Sequence, residues 1–321
     1  MGLSESLEAG RYIRAARWHM KTPITSNTSN TQVNPLINMP SSVHKTTYPG
    51  ISPLRPELST KGKNALITGG GSGIGASIAK SFAKSGITNL ALLGRTGKTL
   101  LTTKAELEKS YHQLKVWTYI VDIADAESTR YALDAYAKAV NGKIDILVAN
   151  AGYMPKKERI TVADPDDWWS GFEINTKGNF NLLRAFDPLA APGARVIHVS
   201  SRSTYMEFLE GFSAYRGSKL AAYKLFSWYA NENPEKAVHQ FDPGFVFDTG
   251  MTGPFEALIK EQGIVGDDVE LASDFAVWLA SDEANFLSGR FVECTWDIED
   301  IKAAKKELDA SWNKWTIGLL E

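Results

Sequence analysis

From Asn64 to Glu293 short apolar runs alternate with stretches of helical periodicity. Asn64-Ala65-Leu66-Ile67 reads as a buried strand, and Ala76 to Ala83 as a helix after it. Leu90 to Leu93 predicts a second strand, followed by a helix over 97–110. Val116 to Val121 predicts a third, followed by a helix over 126–140, and Ile144 to Ala149 a fourth. Asp164-Pro165 has the form of a helix start, with Asp as cap and Pro in the first turn. That helix is expected to run unbroken to about Leu189. Arg195 to Val199, helix 213–230, Ala237 to Phe241, helix 268–281 and Arg290 to Glu293 complete the series. Apolar strands alternating with helices make a parallel sheet covered on both faces, with right-handed crossovers. No break and no internal repeat interrupts the pattern. It predicts a single doubly wound α/β domain of Rossmann type over residues 61–296, its ligand at the carboxyl ends of the strands.

The flanks read differently. Residues 1–60 are expected to be a flexible extension, and 297–321 a helical tail. Arg11, Arg14, Arg17 and Lys21 recur at near-helical spacing, a weak organelle-targeting pattern that Glu5 and Glu8 oppose. Residues 22–34 are rich in Ser, Thr and Asn and read as a linker; Met39 offers an alternative start. Pro49, Pro53 and Pro56 predict extended chain leading to the first strand.

Composition narrows the function. A chain of 321 residues builds a core without disulfides, and its one cysteine, Cys294, allows no intrachain bridge. A reducing, cytoplasmic setting is expected. A net charge of −2 gives no reason to expect nucleic acid. No apolar run approaches the ~20 residues of a membrane span, so no membrane partner is expected. No metal site is expected either.

The chemistry concentrates in a few stretches. Thr68-Gly69-Gly70-Gly71-Ser72-Gly73-Ile74-Gly75 lies between the first strand and first helix. Glycines permit a sharp turn and a close approach of pyrophosphate to the backbone, at a helix N-terminus that favours anions. Asn150-Ala151-Gly152 ends the fourth strand. Tyr215-Arg216-Gly217-Ser218-Lys219 places Tyr and Lys four apart on one helix face. Ser201 stands just past the fifth strand and Asn175 inside the long helix. Taken singly each has a plainer reading: a structural tyrosine beside a surface lysine, a turn serine, a solvent-facing asparagine.

Taken in series, these motifs make the chain resemble the short-chain dehydrogenase/reductase family, in the subgroup with TGxxxGxG and YxxxK and in a fungal-type branch. The resemblance spans about residues 61–296. It implies a hydride-transferring oxidoreductase that interconverts an alcohol and a ketone or aldehyde. Ser201, Tyr215, Lys219 and Asn175 are then the catalytic residues. The implied cofactor-binding residues are Gly69, Ser72, Gly73, Ile74 and Gly75, then Arg95, Asp122, Ile123, Asn150, Ala151 and Gly152. Tyr215, Lys219, Pro243, Gly244, Val246 and Thr249 complete that set. The chain departs from the pattern in three places. The loop threonine stands one residue late, making Thr249 the candidate over Asp248. The Ser201–Tyr215 spacing is one residue longer than is common in the family, which keeps Ser203 open. Cys294-Thr295-Trp296-Asp297 replaces the usual Asp-Gly-Gly.

At the end of the second strand, Gly94 stands where a carboxylate would select NAD, and Arg95 follows. A guanidinium grips a 2′-phosphate with two parallel hydrogen bonds, so NADP is expected, with NAD also accepted. Phe245, Phe247, Met251, Phe255, Tyr205, Phe208, Phe212, Tyr153 and Met154 suggest an apolar pocket for a small substrate. A homodimer or homotetramer is expected, because the family pairs the helices that here carry Trp168, Phe172, Phe180, Leu220, Tyr223, Phe226 and Trp228. Two other readings are an isomerase or dehydratase on the same fold, and a non-catalytic dinucleotide sensor.

Overall fold

The protein is described here from a computed structural model, which covers residues 40, 43–206, 208–247, 249–253, 261, 263 and 265–318. The proposed targeting pattern, the 22–34 linker, Met39, Asp248 and Phe255 lie outside the described residues. In chain order the elements are β1 (Asn64–Thr68), α1 (Gly73–Lys84), β2 (Asn89–Gly94), α2 (Gly97–Ser110), β3 (Lys115–Ile120) and α3 (Ala126–Ala139). There follow β4 (Ile144–Ala149), α4 (Pro165–Phe172), α5 (Asn179–Phe186), β5 (Ala190–Val199) and α6 (Ser213–Glu232). The last are β6 (Ala237–Asp242), α7 (Val269–Leu279), β7 (Phe291–Glu293), α8 (Ile298–Ala303) and α9 (Lys305–Asp309).

The seven strands form one parallel sheet in the order β3-β2-β1-β4-β5-β6-β7. Strand order reverses between β1 and β4, which opens a crevice at their carboxyl ends. Successive side chains on a strand face opposite sides, and the core divides accordingly. Ala65, Ile67, Leu90, Leu92, Ile146 and Val148 face one side with Ile78, Phe82, Phe275 and Trp278. Leu66, Ala91, Leu93, Leu147 and Ala149 face the other with Leu133, Tyr136, Leu182 and Phe226. This is the doubly wound Rossmann-type sheet that the apolar runs predict.

Four expectations need correction. The helix from Pro165 is interrupted by a π-helical turn at Glu173–Gly178. Asn175, on that turn, is 1% exposed and faces inward. A wider turn of this kind re-aims side chains without ending the helix. Pro49 and Pro56 do not lie in extended chain: each opens a short 3₁₀ turn, Pro49–Ile51 and Pro56–Leu58. Proline's fixed φ suits a first helical position as well as an extended one. Residues 43–60, read as part of a flexible extension, pack on the domain. Val43 bridges to Trp296, Thr47 donates to Asp274 at 2.6 Å, and Ile51 and Leu58 are buried. Of the aromatics assigned to a subunit contact, Tyr223 and Phe226 are core residues of the single chain, 1% and 0% exposed.

Candidate active site

The glycine turn closes tightly enough to exclude side chains. Gly69 and Gly73 have φ of +68° and +52°. A Cβ on Gly75 would stand 2.2 Å from the Gly69 carbonyl oxygen, and one on Gly71 would stand 2.6 Å from Thr99 Oγ1. Ser72, at the cap of α1, makes no side-chain capping bond, so the first-turn N–H groups are left to the crevice. Bare backbone, aligned donors and a helix N-terminus fit a pyrophosphate. The Thr68 hydroxyl accepts from the backbone N–H groups of Asn150 and Ala151, each at 3.0 Å. Asn150 Nδ2 donates to the Thr68 carbonyl at 2.9 Å. The β4 turn is thereby stapled to the glycine turn.

Gly152 marks the convergence. A Cβ there would lie 3.2 Å from Asn175 Oδ1, 3.6 Å from Lys219 Nζ and 3.8 Å from Met251 Cε. Asn175 Oδ1 accepts from Tyr153 N at 2.8 Å, while Nδ2 donates to Tyr153 O at 2.8 Å and Ser218 Oγ at 2.9 Å. The π turn therefore aims Asn175 at the backbone just beyond Gly152. Ser201 caps a 3₁₀ turn at Arg202–Thr204, and its hydroxyl accepts from Ser203 N at 3.2 Å. Tyr215 is 8% exposed. Burial pushes its phenol up to about 12, with the nearby Ser201 hydroxyl opposing and Asp242 adding to the rise. Lys219, one helical turn on, is buried and donates from Nζ to Val199 O at 3.0 Å. Burial takes its ammonium down to about 8, and the Asp242 carboxylate opposes that fall. The Ser203 hydroxyl is buried and has no hydrogen-bond partner among the described residues.

Comparison with known proteins places the chain in a family. Residues 63–258 match the family model for short chain dehydrogenases. The chain belongs to the short-chain dehydrogenase family. It is 33% identical over 264 residues to a short chain dehydrogenase/reductase of Claviceps purpurea, covering 81% of this chain and 87% of the relative. It is 32% identical to the short chain dehydrogenase pigC of Monascus ruber, covering 84% and 89%. Among solved structures, a dehydrogenase/reductase from Sinorhizobium meliloti superposes with TM-score 0.67 at 25% identity, covering 74% of this chain and 95% of that one. A short chain dehydrogenase from Burkholderia cenocepacia, in complex with NADP, superposes with TM-score 0.66 at 23% identity, covering 73% and 96%.

Other candidates of this short-chain dehydrogenase lie around the crevice. Gly244 has φ +76°, and its loop returns over the glycine turn, where a Cβ on Gly73 would lie 3.5 Å from Thr249 Cγ2. The Thr249 hydroxyl accepts from Thr252 N at 3.1 Å, and Thr252 Oγ1 donates to the carbonyl of buried Val246 at 2.7 Å. Arg95 is exposed at the end of β2, with no ion pair among the described residues. Asp122 is exposed beside it and accepts from Ala124 N at 3.0 Å; buried Ile123 holds Asn181 Nδ2 through its carbonyl at 3.0 Å. Met251 reaches Gly152, and Phe245 packs edge-on against Phe247. Phe208 is 85% exposed and Tyr205 donates its hydroxyl to Glu293. A groove of about 560 Å³ runs between the loops after β4 and β5, lined by Ile160, Phe208, Leu209, Ser213 and Arg216.

Sequence reasoning missed several supporting residues. Arg216 donates from Nε to Ser203 O at 2.6 Å and also bonds Met206 O, tying the serine loop to α6. Ser218, inside the Tyr-Lys motif, receives Asn175. Asp242, a carboxylate ending a strand buried at every position, holds the serine turn. An ionisable residue at the end of a predicted inner strand was the signal for Asp242. Arg216 and Ser218 carry no such signal.

Proposed function

We propose that this short-chain dehydrogenase reduces a small, largely apolar ketone or aldehyde to the alcohol, and runs the reverse reaction, with NADP(H) preferred and NAD(H) accepted. The observation that carries the reading is that Lys219 Nζ and Asn175 Oδ1 meet at Gly152, next to the glycine cradle, with buried Tyr215 one turn from Lys219 on α6 and Ser201 influencing its phenol. The nicotinamide, when bound, supplies or accepts the hydride. The chain supplies the proton. With its phenol near 12, Tyr215 holds its proton at neutral pH, the form that reduction requires. The Ser201 hydroxyl acts on this phenol, and in this reading Ser201 holds the substrate oxygen while Tyr215 protonates it. Lys219, on the same helix face, stabilises the phenolate left behind, and the same charge assists proton removal in oxidation. Asn175 fixes the Tyr153 backbone and Ser218 around this point.

The cofactor-binding residues are taken to be Gly69, Ser72, Gly73, Ile74 and Gly75 for the pyrophosphate, and Arg95 for the 2′-phosphate. Asp122 and Ile123 are assigned to the adenine. Asn150, Ala151, Gly152 and Lys219 border the ribose, and Pro243, Gly244, Val246 and Thr249 border the nicotinamide side. The NADP held by the Burkholderia cenocepacia relative supports the cofactor class. Apolar Met251, Phe245 and Phe247 support an apolar substrate.

The test is a panel of aldehydes and ketones incubated with enzyme and NADPH, followed by nicotinamide absorbance. At least one carbonyl should be reduced. Tyr215→Phe should keep NADPH binding and the melting temperature while losing at least about a hundredfold in turnover, the scale of general acid catalysis. Wild-type turnover by this variant would remove Tyr215 from the mechanism.

A further inference from the structure

Directly after Ser201, Arg202 faces carboxylates from three elements. Its Nε lies 3.2 Å from Asp242 Oδ2 at the end of β6. Nη1 lies 3.7 Å from Glu293 Oε2 on β7, and Nη2 4.0 Å from Asp267 Oδ2 just before α7. The Arg202 backbone N–H also donates to Asp242, at 2.7 Å to Oδ1. Main chain and side chain of one residue therefore end on the same carboxylate. The Asp242 and Asp267 side chains are 3% and 0% exposed.

The same carboxylates hold the cofactor side of the crevice. Asp242 Oδ2 accepts from Gly244 N at 3.1 Å, and Asp267 Oδ2 from Phe245 N at 2.6 Å. Lys45 Nζ completes the cluster, 2.7 Å from Asp267 Oδ1. Buried carboxylates keep one geometry only while paired. Without the Arg202 side chain, Lys45 is the one cation left to these three carboxylates among the described contacts, and Asp242 keeps its backbone donors but loses its charged partner.

We infer that Arg202 is a positioning residue: clamped on Asp242 by side chain and backbone, it sets where the Ser201 hydroxyl meets Tyr215. The inference rests on the reading of Ser201 as catalytic. It predicts non-additivity, because a residue acting through Ser201 has nothing to position once that hydroxyl is gone.

The experiment uses the full chain, NADPH and the carbonyl reduced fastest in the panel above. R202M should melt cooperatively and bind NADPH within about threefold of wild type, with KM similarly preserved and kcat at least about tenfold lower, as small misplacements in catalytic geometry produce. R202K, keeping charge without the planar fork, should fall between. In an S201A background, R202M should cost less than about twofold more. Wild-type kcat in R202M, or an equal cost in both backgrounds, overturns the inference. Should R202M fail to fold, D242N replaces it, with the same expected loss of kcat and the same non-additivity; a folded D242N at wild-type kcat overturns it equally. Wild-type turnover by S201A alone strikes instead at the proposed role of Ser201.

Discussion

Ser201 and Ser203 stand two residues apart in one tight turn, and spacing to Tyr215 alone does not separate them. Their surroundings differ, and the proposal for Ser201 rests on that difference. The Ser201 hydroxyl holds the Tyr215 phenol down against the rise from burial, whereas Ser203 contributes its backbone N–H to Ser201 and keeps its own hydroxyl buried. Arg95 poses the opposite case, since its role is read from type and position at the end of β2, with the side chain exposed. Arg95→Ala should weaken NADPH use by about tenfold or more, a loss of roughly 1.5–3 kcal/mol for a hydrogen bond to a charged group. NADH use should change less, because NAD lacks the 2′-phosphate. Steady-state kinetics with both cofactors checks this; equal losses, or a wild type that favours NADH, would contradict the assignment.

At the scale of elements, the π turn and the inner strands carry polar groups where pattern reading expects apolar ones. Asn175 is buried because the wider turn aims it at Tyr153 and Ser218; in a regular helix its direction would differ. His198 on β5 and His239 on β6 are 1% exposed. Burial drives both imidazoles down to about 3, with Lys219 adding to the fall at His198 and Arg195 at His239. Gln240 Oε1, 3.0 Å from His198 Nδ1, opposes the shift there. Unfolded histidine titrates near 6.5. Between those values the unfolded chain binds more protons than the folded one, so stability rises with pH across that window. The contribution is complete above about 6.5 and is lost as pH falls toward 3. Melting temperature should therefore drop from pH 7.5 to pH 5, and His239→Leu should flatten the slope. A melting temperature independent of pH over this range would contradict the burial of neutral imidazoles.

For the whole molecule, the segment before β1 joins parts distant in sequence. His44 Nε2 lies 2.7 Å from Asp297, Lys45 Nζ 2.7 Å from Asp267, and Arg55 Nη2 2.5 Å from Glu283. Removing residues 1–39 should leave turnover and melting temperature unchanged. Removing residues 1–48 should lower the melting temperature by about 5 °C or more and reduce turnover, since it also takes Lys45 from the Asp267 cluster. Thermal melts of the two truncations decide, and equal behaviour would show that the contacts of residues 43–48 carry no weight. Trp169, Phe180, Leu220 and Trp228 on α4, α5 and α6 are 37–66% exposed. A homodimer or homotetramer paired through these helices is expected. Light scattering at micromolar concentration should give at least the dimer mass; a monomer would leave this face without its partner.

The strands, the helices that follow them and the glycine turn were legible in the sequence, because each depends on local periodicity or on conformations that glycine permits. Family resemblance then supplied Ser201, Tyr215, Lys219 and Asn175 as a set. What the sequence could not show was every contact made across a long separation. Arg202 meets Asp242 forty residues on, Asn175 meets Ser218 forty-three on, and Lys45 meets Asp267 from beyond the whole sheet. The order of residues specifies none of these pairings by itself. Sheet order does, by carrying the ends of β5, β6 and β7 to one edge of the crevice, where burial requires charges to find partners.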